Sequence, residues 1–366
     1  MIPNRKTPLY KKHISLNGNM TNFAGFLLPT HYTSINFEHN LVRSKVGIFD
    51  VSHMGEFIVS GKDSFSFLQK ITINDLRKLK IGQAQYTAMC YKNGGIVDDL
   101  LIYKKENEFM VVVNASNREK DFSWMAKNIS GDVKIKDISD EIALIAIQGP
   151  NSKDVLQKAV ENDDLNSIKY YHFNYNKIAG HDVIISRTGY TGELGYEIYI
   201  DNDGADNIWE KLMQVGKYFG IGPAGLACRD TLRLEMKYLL YGADINENIT
   251  PIEAGLGWIT KFDKKDFIGR ESLINLKNKI NRRLVCIQMQ EKAIPRNGCK
   301  IYSQNKEIGS FTSGTMSPSL DVGIGIGYVA TDHSHIGQNL VIDIRGKNKK
   351  GIIVKPPFYK RGTLMK

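Results

Sequence analysis

Cysteine is scarce in this chain: only four occur among its 366 residues, at the widely separated positions Cys90, Cys228, Cys286 and Cys299. None belongs to a Cys-x-x-Cys pair, and no histidines lie beside them at metal-ligand spacing. These absences argue against a zinc site and against a disulfide framework. We therefore predict no metal centre and a reducing compartment.

Long apolar runs are also missing. No stretch approaches the roughly 20 apolar residues that a membrane-spanning helix needs. The first six residues of the sequence lack the apolar segment of a signal peptide. We therefore expect a cytoplasmic protein with no membrane partner.

Acidic residues are outnumbered by basic ones, 39 against 49, which gives a net charge of +10. Such an excess indicates either an anionic partner or a general compositional bias toward lysine. The chain has no helix-turn-helix, RNP or zinc-finger pattern, so we expect no nucleic-acid partner.

The common nucleotide-binding and hydrolase motifs are absent as well. There is no Gly-x-x-x-x-Gly-Lys-Ser/Thr loop and no Gly-x-Ser-x-Gly elbow, which argues against the usual phosphoryl-transfer and serine-hydrolase sites. The run Gly-Ile-Gly-Ile-Gly at 323–327 has the wrong spacing for a dinucleotide fingerprint, and no helical pattern follows it. We expect it to form a glycine-bearing barrel strand.

The first two thirds of the chain show an α+β pattern. Residues 108–113 and 182–186 are β-branched runs typical of strands, and apolar residues at helical spacing predict a helix over 208–219 that ends at Gly220. A further helix is predicted to begin near Pro223 and to carry Arg229, Arg233 and Glu235.

The pattern changes after a polar, basic segment at 276–283. Short strands are predicted at 299–302, 340–344 and 351–354, with a hairpin loop at 345–350 between the last two. A small all-β domain, a barrel, is therefore expected to close the chain.

Two adjacent carboxylates, Asp98 and Asp99, follow a glycine turn in the run Asn-Gly-Gly-Ile-Val-Asp-Asp and begin an apolar strand. Successive strand side chains point to opposite faces, so the two acids cannot share one environment. Burying a carboxylate is costly unless it is paired or used. The pattern alone does not choose between them.

Two further residues are candidates on chemical grounds. Glu197 lies in an apolar, aromatic strand, where its carboxylate is suited either to a guanidine-like heterocycle edge or to an ion pair with Arg187, Arg229 or Arg233. His53 has no second histidine at ligand spacing, so we expect it to be a structural, hydrogen-bonded residue rather than a base or a metal ligand.

Eight ordered motifs, spread over nearly the whole chain, resemble those of the glycine cleavage T-protein (aminomethyltransferase) family. They are Thr-Pro-Leu-Tyr (7–10), Phe-Ala-Gly-Phe (23–26), Phe-Asp-Val-Ser-His-Met (49–54), Gly-Gly-Ile-Val-Asp-Asp-Leu (94–100), Gln-Gly-Pro (148–150), Arg-Thr-Gly-Tyr-Thr-Gly-Glu (187–193), Gly-Leu-Ala-Cys-Arg-Asp-Thr-Leu-Arg-Leu-Glu (225–235) and Thr-Ser-Gly-Thr-Met-Ser-Pro-Ser-Leu (312–320).

The resemblance implies a three-domain cloverleaf around a tetrahydrofolate pocket. Residues 6–275 would form two intertwined α+β subdomains and residues 283–362 the barrel. It implies transfer of the methylene carbon of an aminomethyl group from the lipoylated H-protein to tetrahydrofolate, with release of ammonia. A basic enzyme face would steer an acidic carrier protein, which gives the net charge a second explanation.

The resemblance also implies site residues. Asp99 matches the functional aspartate near N5 and N10 of the folate, which leaves Asp98 as an outward-facing neighbour with a solvated or structural role. Glu197 matches the pterin-binding glutamate and Arg229 a ligand-contacting arginine. Further matches are Tyr190, Trp258 and the backbone around Val112 and Val113 in the pocket wall, Arg361 at the pocket mouth, and, more weakly, Tyr86 and Met54.

Two alternatives stay open at this point. Related folate enzymes demethylate a small sulfonium or amine donor, and their sites differ by few residues. A second kind of relative is a non-catalytic folate-binding protein of iron–sulfur cluster assembly. Those proteins carry a cysteine in a Lys-Gly-Cys-Tyr-like motif, whereas the corresponding stretch here, Arg-Thr-Gly-Tyr at 187–190, has none.

Overall fold

The computed structural model describes residues 4–161 and 165–364. Residues 1–3 of the N-terminal segment considered above lie outside this part. Within the described ranges, no helix is both long enough and apolar enough to cross a membrane.

The described residues form eight α-helices and twenty strands. The helices are α1 Tyr10–Ser15, α2 Ile35–Ser44, α3 Ser64–Ile71, α4 Arg118–Lys127, α5 Ser152–Ala159, α6 Ala205–Gly216, α7 Leu226–Glu235 and α8 Arg270–Leu276. The strands are β1 Arg5–Lys6, β2 Asn19–Phe23, β3 Phe26–His31, β4 Val46–Asp50, β5 Gly55–Ser60, β6 Gln83–Cys90, β7 Ile96–Lys104, β8 Phe109–Val113, β9 Lys134–Asp137, β10 Ile142–Gln148, β11 Phe173–Ile178, β12 His181–Ser186, β13 Gly195–Asp201, β14 Ile221–Pro223, β15 Arg282–Met289, β16 Lys300–Ser303, β17 Lys306–Ser317, β18 Val322–Ala330, β19 Asn339–Ile344 and β20 Lys347–Val354.

The strands assemble into three open sheets and a barrel. A three-stranded sheet has the order β1-β3-β2, a five-stranded sheet β6-β7-β8-β5-β9, and a six-stranded sheet β11-β12-β13-β10-β4-β14. Strands β15-β18-β17-β16-β19-β20 close into a barrel. The α+β class and the C-terminal barrel are therefore confirmed.

The five-stranded sheet is apolar on both faces, and each face has a different neighbour. One face packs under helices α3 and α4, where Val111 and Val113 meet Phe67 and Met125. The opposite face packs against the six-stranded sheet in a separate cluster. Strand alternation therefore sends neighbouring side chains of β7 into two different environments.

The local sequence predicted the end of the α6 region correctly but placed the start of α7 too early. Helix α6 continues as a short 3₁₀ turn to Gly220, whose φ of 73° makes it the expected left-handed cap. Helix α7 begins at Leu226, not near Pro223, because Pro223 ends the short strand β14.

The barrel confirms the strand prediction for residues 323–327, which lie within β18. A Cβ atom on Gly327 would lie 2.5 Å from the Ser310 carbonyl oxygen, so the close approach of β17 requires glycine there. The predicted hairpin loop at 345–350 is too long. The turn consists of Arg345 and Gly346, both with positive φ, and β20 already begins at Lys347.

Arg43 of α2 joins four separate segments through a buried guanidinium group. It donates to Glu193 at 2.8 Å, to Glu235 of α7 at 2.7 Å and to the carbonyl of Thr191 at 2.6 Å. The ring of Tyr359, near the end of the chain, lies 4.2 Å from the guanidinium carbon. Glu193 and Glu235 are almost fully buried, and this arginine is the cation that pairs with both of them.

We expect Arg43→Met to destabilise the protein by about 3 to 5 kcal/mol, because it leaves two buried carboxylates without their cation. The loss should appear as an earlier thermal transition in circular dichroism. Lys300→Met is the matched control, since it removes a half-exposed pair with Glu307 that is worth about 1 kcal/mol or less. Equal transition temperatures for the two variants would contradict this role of Arg43.

Candidate active site

Asp99 lies on the face of the five-stranded sheet that meets the six-stranded sheet. Its Oδ2 accepts a hydrogen bond from the Tyr86 hydroxyl at 2.9 Å, and its Oδ1 accepts one from the Asn114 side-chain amide at 3.0 Å. In the strand register Asp99 lies opposite Ala88, so a small side chain leaves space beside the carboxylate.

Asp98 points to the other face of the sheet, as strand alternation requires. The expectation that it is outward-facing is wrong: Asp98 is fully buried beneath α4. It accepts hydrogen bonds from the side-chain amides of Asn114 at 2.9 Å and Asn117 at 2.7 Å. Its role is therefore structural, and the physical reason is that α4 covers this face.

The glycine turn before β7 packs against a distant segment of the chain, residues 246–249. Gly94 has a φ of 91°, and a Cβ atom on Gly95 would lie 1.8 Å from the carbonyl oxygen of Glu247. The Ile96 amide then donates to the Asn246 carbonyl at 3.2 Å and to the Ile249 carbonyl at 3.0 Å. The two glycines thus allow the segment around 246–249 to fix the start of β7 and the two aspartates that follow.

Burial, together with the nearby charge of Asp98, raises the pKa of Asp99 to about 7. Hydrogen bonds from Tyr86 and Asn114 act in the opposite direction because they stabilise the carboxylate. Asp99 is therefore a carboxyl group that can gain or lose a proton near neutral pH, as an acid/base residue requires.

This raised pKa has a consequence for stability. The pKa of an aspartate in the unfolded chain is about 3.9. Between this pH and about 7, the folded chain therefore binds a proton at Asp99 that the unfolded chain has lost. Asp99 therefore destabilises the fold progressively as the pH rises through this window. We expect Asp99→Asn, which cannot ionise, to gain in melting temperature relative to wild type from pH 5 to pH 8. A difference that shrinks over this range would contradict the raised pKa.

Tyr86 links Asp99 to a large exposed aromatic residue. Its ring stacks on Trp258 with centroids 6.2 Å apart and planes inclined by 26°. Trp258 is 64% exposed, so it lies at the rim of the site and not in its wall. An exposed tryptophan beside a buried carboxylate is suited to contact a large ligand or a partner protein.

Glu197 lies on β13 of the facing six-stranded sheet and is buried. Its Oε2 accepts a hydrogen bond from the Thr188 hydroxyl at 2.5 Å. Burial raises its pKa, while Thr188 and the charge of Arg229 lower it. No ion pair within 4 Å joins Glu197 to an arginine in the described ranges; Arg233 instead pairs with Asp244 at 2.7 Å.

Arg229 approaches the same space from α7. Its guanidinium carbon lies 4.7 Å from the ring centroid of Tyr190, and that ring stacks on Tyr238 at 5.6 Å. No side chain of the described residues accepts a hydrogen bond from this guanidinium, whose pKa is lowered by burial. Its five donors are thus available to an anionic or carbonyl-bearing ligand.

Electrostatic interactions show that these groups are close to one another. Tyr190 is influenced by the charges of both Asp99 and Arg229, and Arg229 in turn by Glu197. The Tyr190 hydroxyl donates to the Leu239 carbonyl, which holds the ring beside Arg229. The structure therefore brings Asp99, Tyr190, Arg229 and Glu197 to one site.

Three further predicted site residues lie around this site or in the core beside it. The Val113 side chain packs in the core under α3 and α4, so only its backbone is available to the site. Met54 is half-buried against the cluster between the two sheets. Arg361 is exposed, with its guanidinium carbon 6.0 Å from the centroid of the Tyr359 ring.

His53 differs from expectation. It is buried, but its Nδ1 has no hydrogen-bond partner in the described part of the chain, and its ring packs edge-on against Phe23 at 5.5 Å. Burial, together with the positive charge of Arg229, lowers the pKa of His53 to about 4. The ring is neutral at pH 7, and the expected hydrogen-bonded role is replaced by an aromatic contact.

Two residues of the site were missed by sequence reasoning. Asn114 follows the apolar strand β8 and donates a hydrogen bond to Asp99. The sequence did contain a signal for this role, namely a polar residue at the end of a strand next to the one that carries the aspartate. Thr188 lies in the glycine-rich segment before β13 and holds Glu197, but no pattern in the sequence separates it from its neighbours. Among the described residues, no group of three or more His, Cys, Asp or Glu side chains is placed to hold a metal ion.

Two family models match the chain. The model of the GCVT N-terminal domain matches residues 9–264, and that of the glycine cleavage T-protein C-terminal barrel domain matches residues 282–360. The second match falls on the strands of the closed barrel.

Curated relatives match over almost the full length. The chain is 48% identical to the aminomethyltransferase of Halothermothrix orenii over 97% of this chain and 99% of that protein. It is 46% identical to the aminomethyltransferase of Caldanaerobacter subterraneus subsp. tengcongensis over 98% of this chain and 96% of that protein. A crystal structure of glycine cleavage system aminomethyltransferase T from Bartonella henselae superimposes with a TM-score of 0.92 at 31% identity, covering 98% of this chain and 99% of that one.

Proposed function

Because this chain belongs to the glycine cleavage T-protein family and is an aminomethyltransferase, we propose the substrates and residues through which it acts. The donor is the aminomethyl group carried on the lipoyl arm of the H-protein. The acceptor is tetrahydrofolate, which takes up the methylene carbon through its N5 and N10. The products are 5,10-methylenetetrahydrofolate, ammonia and the dihydrolipoyl arm.

The observation that supports this assignment is the pairing of a buried carboxylate and an unengaged guanidinium on facing elements. Glu197 already accepts one hydrogen bond from Thr188, and its carboxylate is suited to the two donors of an amino-pyrimidinone edge. Arg229 retains its donors and stacks over Tyr190. A planar heterocycle with an edge of paired donors matches the hydrogen-bonding chemistry of these two groups.

Asp99 is proposed as the acid/base residue for the folate nitrogens. With its pKa raised to about 7, it is ionised in a large fraction of molecules at neutral pH and can accept a proton. Tyr86 and Asn114 hold its two oxygens, so the carboxylate is oriented before any ligand arrives.

The remaining assignments concern organisation and partners. We propose that residues 6–275 form the folate-binding region and residues 283–362 the barrel domain, which the positions of the two family models support. The net charge of +10 suits an acidic carrier protein. The folate-binding region, Arg361 at the pocket mouth and a cytoplasmic location remain parts of this proposal.

A turnover assay with defined donors tests the proposed reaction. Purified protein with lipoylated, aminomethyl-loaded H-protein and tetrahydrofolate should release ammonia and form 5,10-methylenetetrahydrofolate in equal amounts. Sulfonium or amine methyl donors in place of the loaded H-protein should give no product. Methyl transfer from those donors, with no ammonia from the H-protein, would assign the chain to the demethylases instead.

A further inference from the structure

Asp121 of α4 is a fully buried carboxyl group beneath the strand that carries the two aspartates. No N–H or O–H group of the described residues donates a hydrogen bond to either of its oxygens. The nearest cation is the neighbouring Lys120, whose amine lies 3.7 Å from Oδ1 and donates to the Val97 carbonyl instead. A buried carboxylate in this position, without a hydrogen-bond donor, would be strongly disfavoured.

Asp98 lies within hydrogen-bonding reach of Asp121. Two carboxyl groups can join by a hydrogen bond only when one of them carries the proton. Asp98 already accepts from the Asn114 backbone amide at 3.2 Å and from the side-chain amides of Asn114 and Asn117. Those donors stabilise the ionised form of Asp98, so Asp121 is the partner that keeps the proton.

Asn114 connects this pair to the active site. Its side-chain amide donates to Asp98 Oδ1 at 2.9 Å and to Asp99 Oδ1 at 3.0 Å. The orientation of Asn114, and through it of the Asp99 carboxylate, therefore depends on Asp98. The negative charge of Asp98 also raises the pKa of Asp99 directly.

We propose that Asp121 is a positioning residue for aminomethyl transfer: it donates its proton to Asp98, so that the pair carries one negative charge and orients Asp99 through Asn114. Burial and the charge of Asp98 raise the pKa of Asp121 to about 11, which supports a proton held throughout the working pH range. The inference rests on the proposed acid/base role of Asp99.

Other titratable groups face this cluster and stay unchanged in the test. Tyr86 of β6 holds Asp99, and Lys120 of α4 lies 4.0 Å from the ring centroid of Tyr241. Tyr241 and Glu247, on the segment after α7, and Tyr91, directly after β6, also face Asp98 and Asp121. Asp98→Asn and Asp121→Asn each change one member of the pair and none of these groups.

The pH dependence of turnover separates a shared proton from two ionised carboxylates. In wild type, the rate should fall as the pH drops through about 7, because Asp99 becomes protonated. Asp98→Asn removes the negative charge beside Asp99 and should move the midpoint of this fall to lower pH by about one unit. Asp121→Asn still donates to Asp98 and leaves one negative charge, so its midpoint should equal that of wild type.

Glu119→Gln is the matched control, because Glu119 is an exposed carboxylate on the same helix. Its midpoint should also equal that of wild type. If Asp121→Asn moves the midpoint as far as Asp98→Asn does, the pair carries two charges and the proposal is overturned. A midpoint that Asp98→Asn leaves in place would overturn the coupling to Asp99.

An infrared measurement tests the shared proton without any turnover. At about pH 9, above the range in which Asp99 titrates, wild type should show the band of a protonated aspartic acid, and Asp121→Asn should lack it. A wild-type spectrum without this band would overturn the proposal even if no variant were active. If the band is present while turnover shows no fall near pH 7, the proposed role of Asp99 fails and the shared proton stands.

Discussion

Replacing Asp99 with asparagine is expected to lower kcat for aminomethyl transfer by about 10²- to 10⁴-fold, the usual contribution of a general acid/base residue. Asparagine keeps the shape of the side chain and can still accept from Tyr86, whose hydroxyl now bonds Oδ2 at 2.9 Å. It cannot carry a charge or exchange a proton. Steady-state turnover with loaded H-protein and tetrahydrofolate measures kcat, and tetrahydrofolate titration measures Kd.

The split between kcat and Kd distinguishes chemistry from binding. An acid/base role predicts a low kcat with Kd close to that of wild type. Asp182→Asn is the control, since Asp182 is a highly exposed aspartate in a strand of the other sheet. Near-normal turnover by Asp99→Asn would remove the acid/base role, and a loss confined to Kd would leave Asp99 as a binding residue only.

The second large effect is expected from Glu197→Gln, in the affinity for tetrahydrofolate. Hydrogen bonds to a charged group contribute about 1.5 to 3 kcal/mol, so Kd should rise by about 10- to 150-fold. The glutamine amide also places a donor against a donor edge. The Thr188 hydroxyl, which donates to Oε2 at 2.5 Å, can still bond the remaining carbonyl oxygen.

At saturating tetrahydrofolate, kcat of Glu197→Gln should stay near that of wild type, because the change acts on binding. Glu210→Gln, which removes an exposed carboxylate on α6, serves as the control for the loss of one negative charge. An unchanged Kd in Glu197→Gln would show that the heterocycle lies elsewhere. A fall in kcat without a change in Kd would place Glu197 among the groups that act in the chemical step.

Much of the site followed from local rules. The two-residue period of strands separated Asp98 from Asp99, and the glycine pair before them predicted a tight turn. Glu197 was recognised as an acid in an apolar strand. These features depend only on neighbours in sequence, which is why the sequence was sufficient for them.

The remainder depends on contacts between distant segments. Asp98 is buried because α4 covers its face, and α4 follows it by about two dozen positions. The short hairpin turn at Arg345 and Gly346 lets three lysines enter the start of β20, because their side chains there are exposed or only half-buried. Pro223 looked like a helix start but ends a strand, since the pairing of β14 with β4 decides its conformation. Tertiary packing outweighed local preference at Asp98 and at Pro223.

A structure of the protein with tetrahydrofolate bound tests the central claim most directly. The account predicts the amino-pyrimidinone edge on the Glu197 carboxylate and the reacting nitrogens within about 3 to 3.5 Å of Asp99. It also predicts Arg229 in contact with the ligand. Tetrahydrofolate bound away from both carboxylates, or with its heterocycle turned from Glu197, would contradict it.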